Sequence, residues 1–159
     1  PAVMTRAANV YGPGQQLYRI IPRTILAGIK GQKLTLDGGG LSERVFIHIK
    51  DVCSATYDIA LKGEIGEIFH ISGYELISIR TCVEKILSKL GKSFSDCVLL
   101  GPERMGKDTA YMLDSEKLRK ALKWDDVIAF DEGIDDTISW MKKYHDVLDI
   151  LPTSYVHKQ

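Results

Sequence analysis

Little in this chain could staple it, charge it or anchor it. Its three cysteines, Cys53, Cys82 and Cys97, are an odd number set far apart, and two fall inside apolar stretches. A disulfide frame needs paired thiols in an oxidising compartment, so the pattern points to reduced thiols in a cytoplasmic protein. The four histidines, His48, His70, His145 and His157, show no ligand spacing, which argues against a metal site. Lys plus Arg and Asp plus Glu both total 21, for a formal net charge of zero. The basic footprint that nucleic acid requires is therefore missing, as is any basic amphipathic helix suited to a membrane surface. No apolar run is long enough to cross a bilayer, and no signal-peptide pattern is present. Repeats, low-complexity tracts and dividing linkers are missing too. Gly38, Gly39 and Gly40 stand together, yet neither G-x-G-x-x-G nor G-x-x-x-x-G-K occurs and no helix opens at once after them, so they form no phosphate cradle. The chain also opens without a starting Met inside an apparent strand, and reads as a piece cut from something longer.

What is present alternates between two periods. Apolar residues at helical spacing mark helices from about Ile20 to Lys30, from Lys50 towards Gly63, from Ser78 to Leu90, from Ser115 to Leu122 and from Asp131 to about Tyr144. Short alternating or apolar runs at 33–36, 43–47, 67–73 and 98–100 read as strands, the last of them buried. Asp37 to Gly40 reads as a hairpin turn between the first two of these, and Asp51 as a helix-start residue that satisfies free N–H groups. The class is α/β. One domain is expected over 1–148, with 149–159 a tail of little pattern that is mobile or borrowed by a partner.

The organising stretch is Thr5 to Gln15. An apolar run (Ala2, Val3, Met4) gives way to polar residues and then to Tyr11-Gly12-Pro13-Gly14, a strand stopping at a turn. In open α/β sheets ligands bind just beyond the carboxyl ends of strands. Asn9 offers a donor and an acceptor there, and Arg6 a fixed fork of donors. On spacing alone, Asn9 could equally close an Asx-turn ahead of Gly12 and Pro13.

R-x-x-N-V-Y-G-P-G-Q resembles the segment after the sixth strand of the extended short-chain dehydrogenases that act on nucleotide sugars, the NAD-dependent epimerase/dehydratase family, with dTDP-glucose 4,6-dehydratases as its nearest members. Further matches follow in order. Arg19-Ile20-Ile21-Pro22 is similar to the family's Lys-Leu-Ile-Pro helix start. Gly38 to Arg44 resembles the front of G-x-G-x-x-x-R-D-W-x-x-V-x-D, with Val45 and Phe46 where the family has Asp and Trp. Glu67 to Gly73 is similar to G-E-x-Y-N-I-G-G. Arg104-Met105-Gly106-Lys107-Asp108, with Tyr111 and Asp114, resembles R-P-G-H-D-x-x-Y-x-I-D, with Met105 and Lys107 in place of Pro and His.

The resemblance implies the carboxyl-terminal, substrate-binding portion of a Rossmann-type nucleotide-sugar dehydratase or epimerase, including the last part of its sheet. It implies that Asn9, Arg19, the Ile20 backbone, Arg44, Ser78, Arg104, Gly106 and Asp108 meet the nucleotide sugar, with Arg44 and Arg104 clamping the diphosphate. A solvated Arg19, a Ser78 that is only a helix cap and a purely structural Arg104 loop remain open. It also implies that Val10 lies near the nicotinamide of NAD, a cofactor held mainly by an absent amino-terminal Rossmann half, and that the full-length enzyme is a homodimer. The family's proton-moving Tyr-x-x-x-Lys pair is missing: no tyrosine here has a lysine four residues on. No catalytic residue is therefore assigned, and the chain alone is expected to be silent. UDP-sugar epimerases or decarboxylases share several of these motifs, a non-catalytic nucleotide-sugar or dinucleotide sensor would keep the binding loops, and a small α/β module with no ligand would bind no nucleotide diphosphate.

Overall fold

The computed structural model describes residues 1–103, 105–106 and 108–155; Arg104, Lys107 and 156–159 lie outside the described residues. Eight short strands and seven helices follow one another along that length: β1 Met4–Ala7, β2 Asn9–Tyr11, α1 Ile20–Lys30, β3 Leu34–Asp37, β4 Glu43–His48, α2 Ile49–Lys62, β5 Ile68–Ile71, β6 Leu76–Ser78, α3 Ile79–Lys89, α4 Phe94–Cys97, β7 Val98–Gly101, β8 Ala110–Tyr111, α5 Glu116–Leu122, α6 Phe130–Lys143 and α7 His145–Leu148.

These strands form three small sheets. β1 pairs in parallel with β5, and β3 in parallel with β7. β4 is the hub of the third sheet: its carboxyl half pairs in parallel with β2, and its amino half takes β6 antiparallel and β8 parallel. The hairpin expected between β3 and β4 is not formed. Gly38, Gly39 and Gly40 all take positive φ in a 3-10 turn, which turns the chain out of the β3 plane. Strand β3 then finds its partner about sixty residues on, where Val98 joins Leu34 and Leu36 over a shared core. Strand β7 is accordingly an outer strand, and Leu99 and Leu100 are exposed rather than buried. β6, a strand the sequence did not suggest, adds Leu76 and Ile77 to the hub sheet.

Helix α1 starts where the proline allows. Pro22 is its third residue, where a missing N–H costs nothing, and Gly31 ends it with φ 64°. Its buried side, Ile21 and Ile25, packs with Cys82 and Ile86 of α3 and with Ile134, Ile138 and Met141 of α6. A second core lies between β4, β5, α2 and α5, through Val45, Ile47, Ala55, Ile59, Phe69, Ile71 and Leu118. The three cysteines are free; Cys82 and Cys97 are buried and Cys53 is exposed. Burial pushes the Cys82 thiol up to about 12.

Two polar anchors hold the irregular segment 123–129. Asp51 is buried in α2, and its carboxylate accepts the N–H groups of Val127 (3.2 Å) and Ile128 (3.1 Å). Asp51 thus serves another segment and not its own helix, whose entrance is capped by His48 instead. Arg119 donates to the Ser72 carbonyl (2.7 Å) and the Asp126 carboxylate (2.5 Å), and stacks on Tyr74. Past α7, Asp149 pairs with Lys30 at 2.7 Å and Tyr155 packs its ring on Tyr18 at 5.2 Å between centroids.

Candidate functional site

A cleft of about 930 Å³ opens where β2 ends, where α1 begins and where β3 ends. Asn9 and Val10 form one wall, Gly12 to Gln16 the turn beside it, Arg19 to Arg23 the first helical turn, and Thr35 to Asp37 the opposite wall; Phe46 and Ile79 contribute apolar surface. Asn9 reaches this place because β2 pairs with β4 in a register that sets Asn9 opposite Phe46, on the same face.

The turn after β2 depends on glycine. Gly12 has φ 139°, and a Cβ there would lie 2.6 Å from Ile49 Cγ2 and 3.1 Å from His48 Nε2. Gln15 then folds back and donates from Nε2 to the Val10 carbonyl at 2.6 Å, fixing the strand end. Its Oε1 is buried without a partner among the described residues. Under the turn, Tyr11 is buried and donates its hydroxyl to the Phe130 carbonyl at 3.2 Å, beside the rings of Phe46, His48 and Phe130. Burial, the largest cause, raises the Tyr11 pKa, so its hydroxyl keeps its proton.

His48 is also buried. Its Nδ1 accepts the Lys50 N–H at 3.4 Å, and its Nε2 lies 3.5 Å from the Asp136 carboxylate. Burial pulls its pKa below the usual 6.5, partly opposed by Asp136. This histidine is a structural group beneath the cleft floor.

The electrostatics of the cleft centre on α1. Its N-cap, Arg19, makes no side-chain cap bond, and no acid stands in the first turn. The positive helix end therefore faces the cleft unneutralised, with the exposed cations Arg19 and Arg23 beside it. An uncapped helix start flanked by two guanidiniums is a site for a polyanion.

Four of the nine expected site residues, Asn9, Val10, Arg19 and Ile20, line this one cleft. Arg44 does not. Its guanidinium donates to the carbonyls of Glu43 (2.6 Å) and Asp108 (3.0 Å), so it ties β4 to the backbone at Asp108. It shares the β4 face of Phe46 without lining the cleft. Asp108 is exposed and meets Arg44 through its backbone, and Gly106, φ 77°, faces open space. Ser78 caps α3, its Oγ accepting the Thr81 N–H at 3.0 Å, one residue before Ile79 enters the cleft lining. Arg104 lies outside the described residues. Sequence reasoning missed Gln15, Tyr18, Arg23, Thr35 and Asp37 as lining groups. For Arg23 the signal was available, since i and i+4 of a helix share a face with Arg19. Among the described residues no group of three His, Cys, Asp or Glu side chains gathers to hold a metal, and no helix is long and apolar enough to cross a membrane.

The GDP-mannose 4,6 dehydratase family model matches residues 1–137. A dTDP-glucose 4,6-dehydratase of Streptomyces niveus is 34% identical over 140 residues, which cover 88% of this chain and 41% of that protein. The crystal structure of dTDP-glucose 4,6-dehydratase from Bacillus anthracis in complex with NAD superposes with a TM-score of 0.85 at 32% identity, over 91% of this chain and 45% of that one. A UDP-glucuronic acid 4-epimerase from Bacillus cereus, in complex with UDP-glucuronic acid and NAD, gives a TM-score of 0.80 at 26% identity, over 89% of this chain and 45% of that one. The chain spans less than half the length of these relatives.

Proposed function

Because this chain belongs to the GDP-mannose 4,6 dehydratase family, we propose that its cleft holds the nucleotide-diphosphate end of an activated sugar, and that the chain is the substrate-binding part of an NAD-dependent nucleotide-sugar 4,6-dehydratase. The observation that carries this reading is the uncapped start of α1, with Arg19 and Arg23 beside it, opening into the cleft that Asn9 also lines. The diphosphate takes the free N–H groups of the first turn and the two guanidiniums. The sugar then lies towards Asn9, whose carboxamide donates to or accepts from a hydroxyl.

NAD, when bound, supplies the hydride acceptor for oxidation of the sugar. On this chain the edge at Val10 meets it in this reading, and Gln15 holds the Val10 carbonyl in place. The larger part of the cofactor site, the Tyr-x-x-x-Lys pair and any dimer contact belong to sequence outside this chain, so the chain alone binds without turning over. A nucleotide-sugar epimerase is the second reading, favoured by the superposition on the UDP-glucuronic acid 4-epimerase.

Calorimetric titration with nucleoside diphosphates tests the site. Binding is expected to fall about tenfold or more in Arg19→Ala and further in Arg19→Ala/Arg23→Ala, since charge-assisted contacts to phosphate contribute about 1.5–3 kcal/mol each. Affinity that survives both substitutions removes this reading.

A further inference from the structure

We propose that Asp37 reads the base of the bound nucleotide and selects guanine over thymine and uracil; this rests on the nucleotide-sugar reading above. Asp37 ends β3 and, among the described residues, is the one acidic side chain lining the cleft. Its carboxylate has no hydrogen bond or ion pair among the described residues. Half-buried carboxylates are costly to leave unpaired, and this one faces a space large enough for a ligand.

The two faces of β3 differ: one packs and the other is polar. Leu34 and Leu36 point into the core, so the intervening Thr35 and Asp37 stand on the other face. Gly101 lies opposite Asp37 in the β3–β7 register. A Cβ built on Gly101 would sit 3.0 Å from Thr35 Cγ2 and 3.2 Å from Asp37 Oδ1, so the two polar side chains converge over one bare backbone position.

Charge then orients the ligand. The diphosphate goes to the α1 start with Arg19 and Arg23, and a carboxylate repels it from the β3 wall. With the sugar towards Asn9 and Val10, the base is left facing Thr35 and Asp37. A carboxylate only accepts, so it suits an edge carrying two adjacent donors. Guanine offers this through N1–H and the N2 amino group. Thymine and uracil present one N–H between two carbonyl oxygens, which repel a carboxylate. Thr35, which lines the cleft on the same face of β3, supplies in this reading a hydroxyl donor for guanine O6.

Calorimetry of the purified protein with GDP, CDP, dTDP and UDP tests this. GDP is expected to bind about tenfold or more tightly than dTDP and UDP, as a bidentate polar pair discriminates. Asp37→Ala should level the ranking, weakening GDP and leaving dTDP and UDP unchanged or tighter. Asp37→Asn, which can donate to a carbonyl and accept from the neighbouring N–H, should shift preference towards dTDP and UDP. Equal affinities, or a ranking unchanged in both variants, overturn the base assignment and leave the diphosphate site standing. No binding by any of the four overturns both.

Discussion

Gly133→Ala asks whether the floor of the cleft is as tightly built as its geometry says. Gly133 lies in α6 where that helix crosses β2 and β4, and an added Cβ would lie 2.2 Å from the Tyr11 hydroxyl oxygen, 2.8 Å from Tyr11 Cζ and 2.9 Å from His48 Cδ2. Two effects oppose each other. Alanine gains about 0.8–1.0 kcal/mol over glycine in a helix interior. Overpacking costs about 1–3 kcal/mol when neighbours cannot give way, and here both neighbours are buried rings. Moving Tyr11 also breaks its bond to the Phe130 carbonyl, a further loss of about 0.5–1.5 kcal/mol. The overpacking side wins, for a net destabilisation of about 1–3 kcal/mol, or a melting temperature lower by about 3–10 °C for a chain of this size. Urea denaturation measures it. Tyr11→Phe deletes the nearest clashing atom, so in that background Gly133→Ala should cost about 1 kcal/mol less, a coupling a double-mutant cycle resolves. A Gly133→Ala protein as stable as the parent, or additive with Tyr11→Phe, would refute the packing argument.

Asp51→Ala should destabilise by about 2–4 kcal/mol, because it removes the buried carboxylate to which the N–H groups of Val127 and Ile128 both donate; the fluorescence of buried Trp124 in the same segment follows the transition. His48 makes stability depend on pH. Its folded pKa lies below 6.5, so the unfolded state binds the proton first, and the contribution is complete above 6.5 and is lost as pH falls towards the folded value. The urea midpoint should drop between pH about 7.5 and about 5.5, and His48→Gln should flatten that dependence while lowering the starting value. Arg44→Ala should weaken nucleoside diphosphate binding less than Arg19→Ala does, since its guanidinium is engaged with two carbonyls; amide exchange at 108–111 should quicken in the same variant.

Much of this fold can be read directly from periodicity. Pro22 and Gly31 bracket α1 closely, and the apolar spacing of α3 and α6 matches what they bury, because a helix carries its own boundaries in local chemistry. Strand pairing is different. Nothing local in Lys33 to Asp37 says that its partner is Val98 to Gly101, since pairing depends on which cores must be covered after the chain turns at Gly38. The site divides the same way. Asn9, Val10, Arg19 and Ile20 were legible because they flank one strand-turn-helix unit. Arg44 stands outside the cleft lining, which the sequence does not reveal because a guanidinium suits two backbone carbonyls as well as it suits phosphate. Asp37 and Thr35 were passed over because a strand-end acid before three glycines looks like turn chemistry until the cleft is seen beside it.

A crystal structure with a nucleoside diphosphate bound tests the central claim most directly. Phosphate density over the first turn of α1, within reach of Arg19 and Arg23 and with Asn9 on the side away from the base, is the expected result. Phosphates bound elsewhere on the molecule, with that helix start left to solvent, would contradict it.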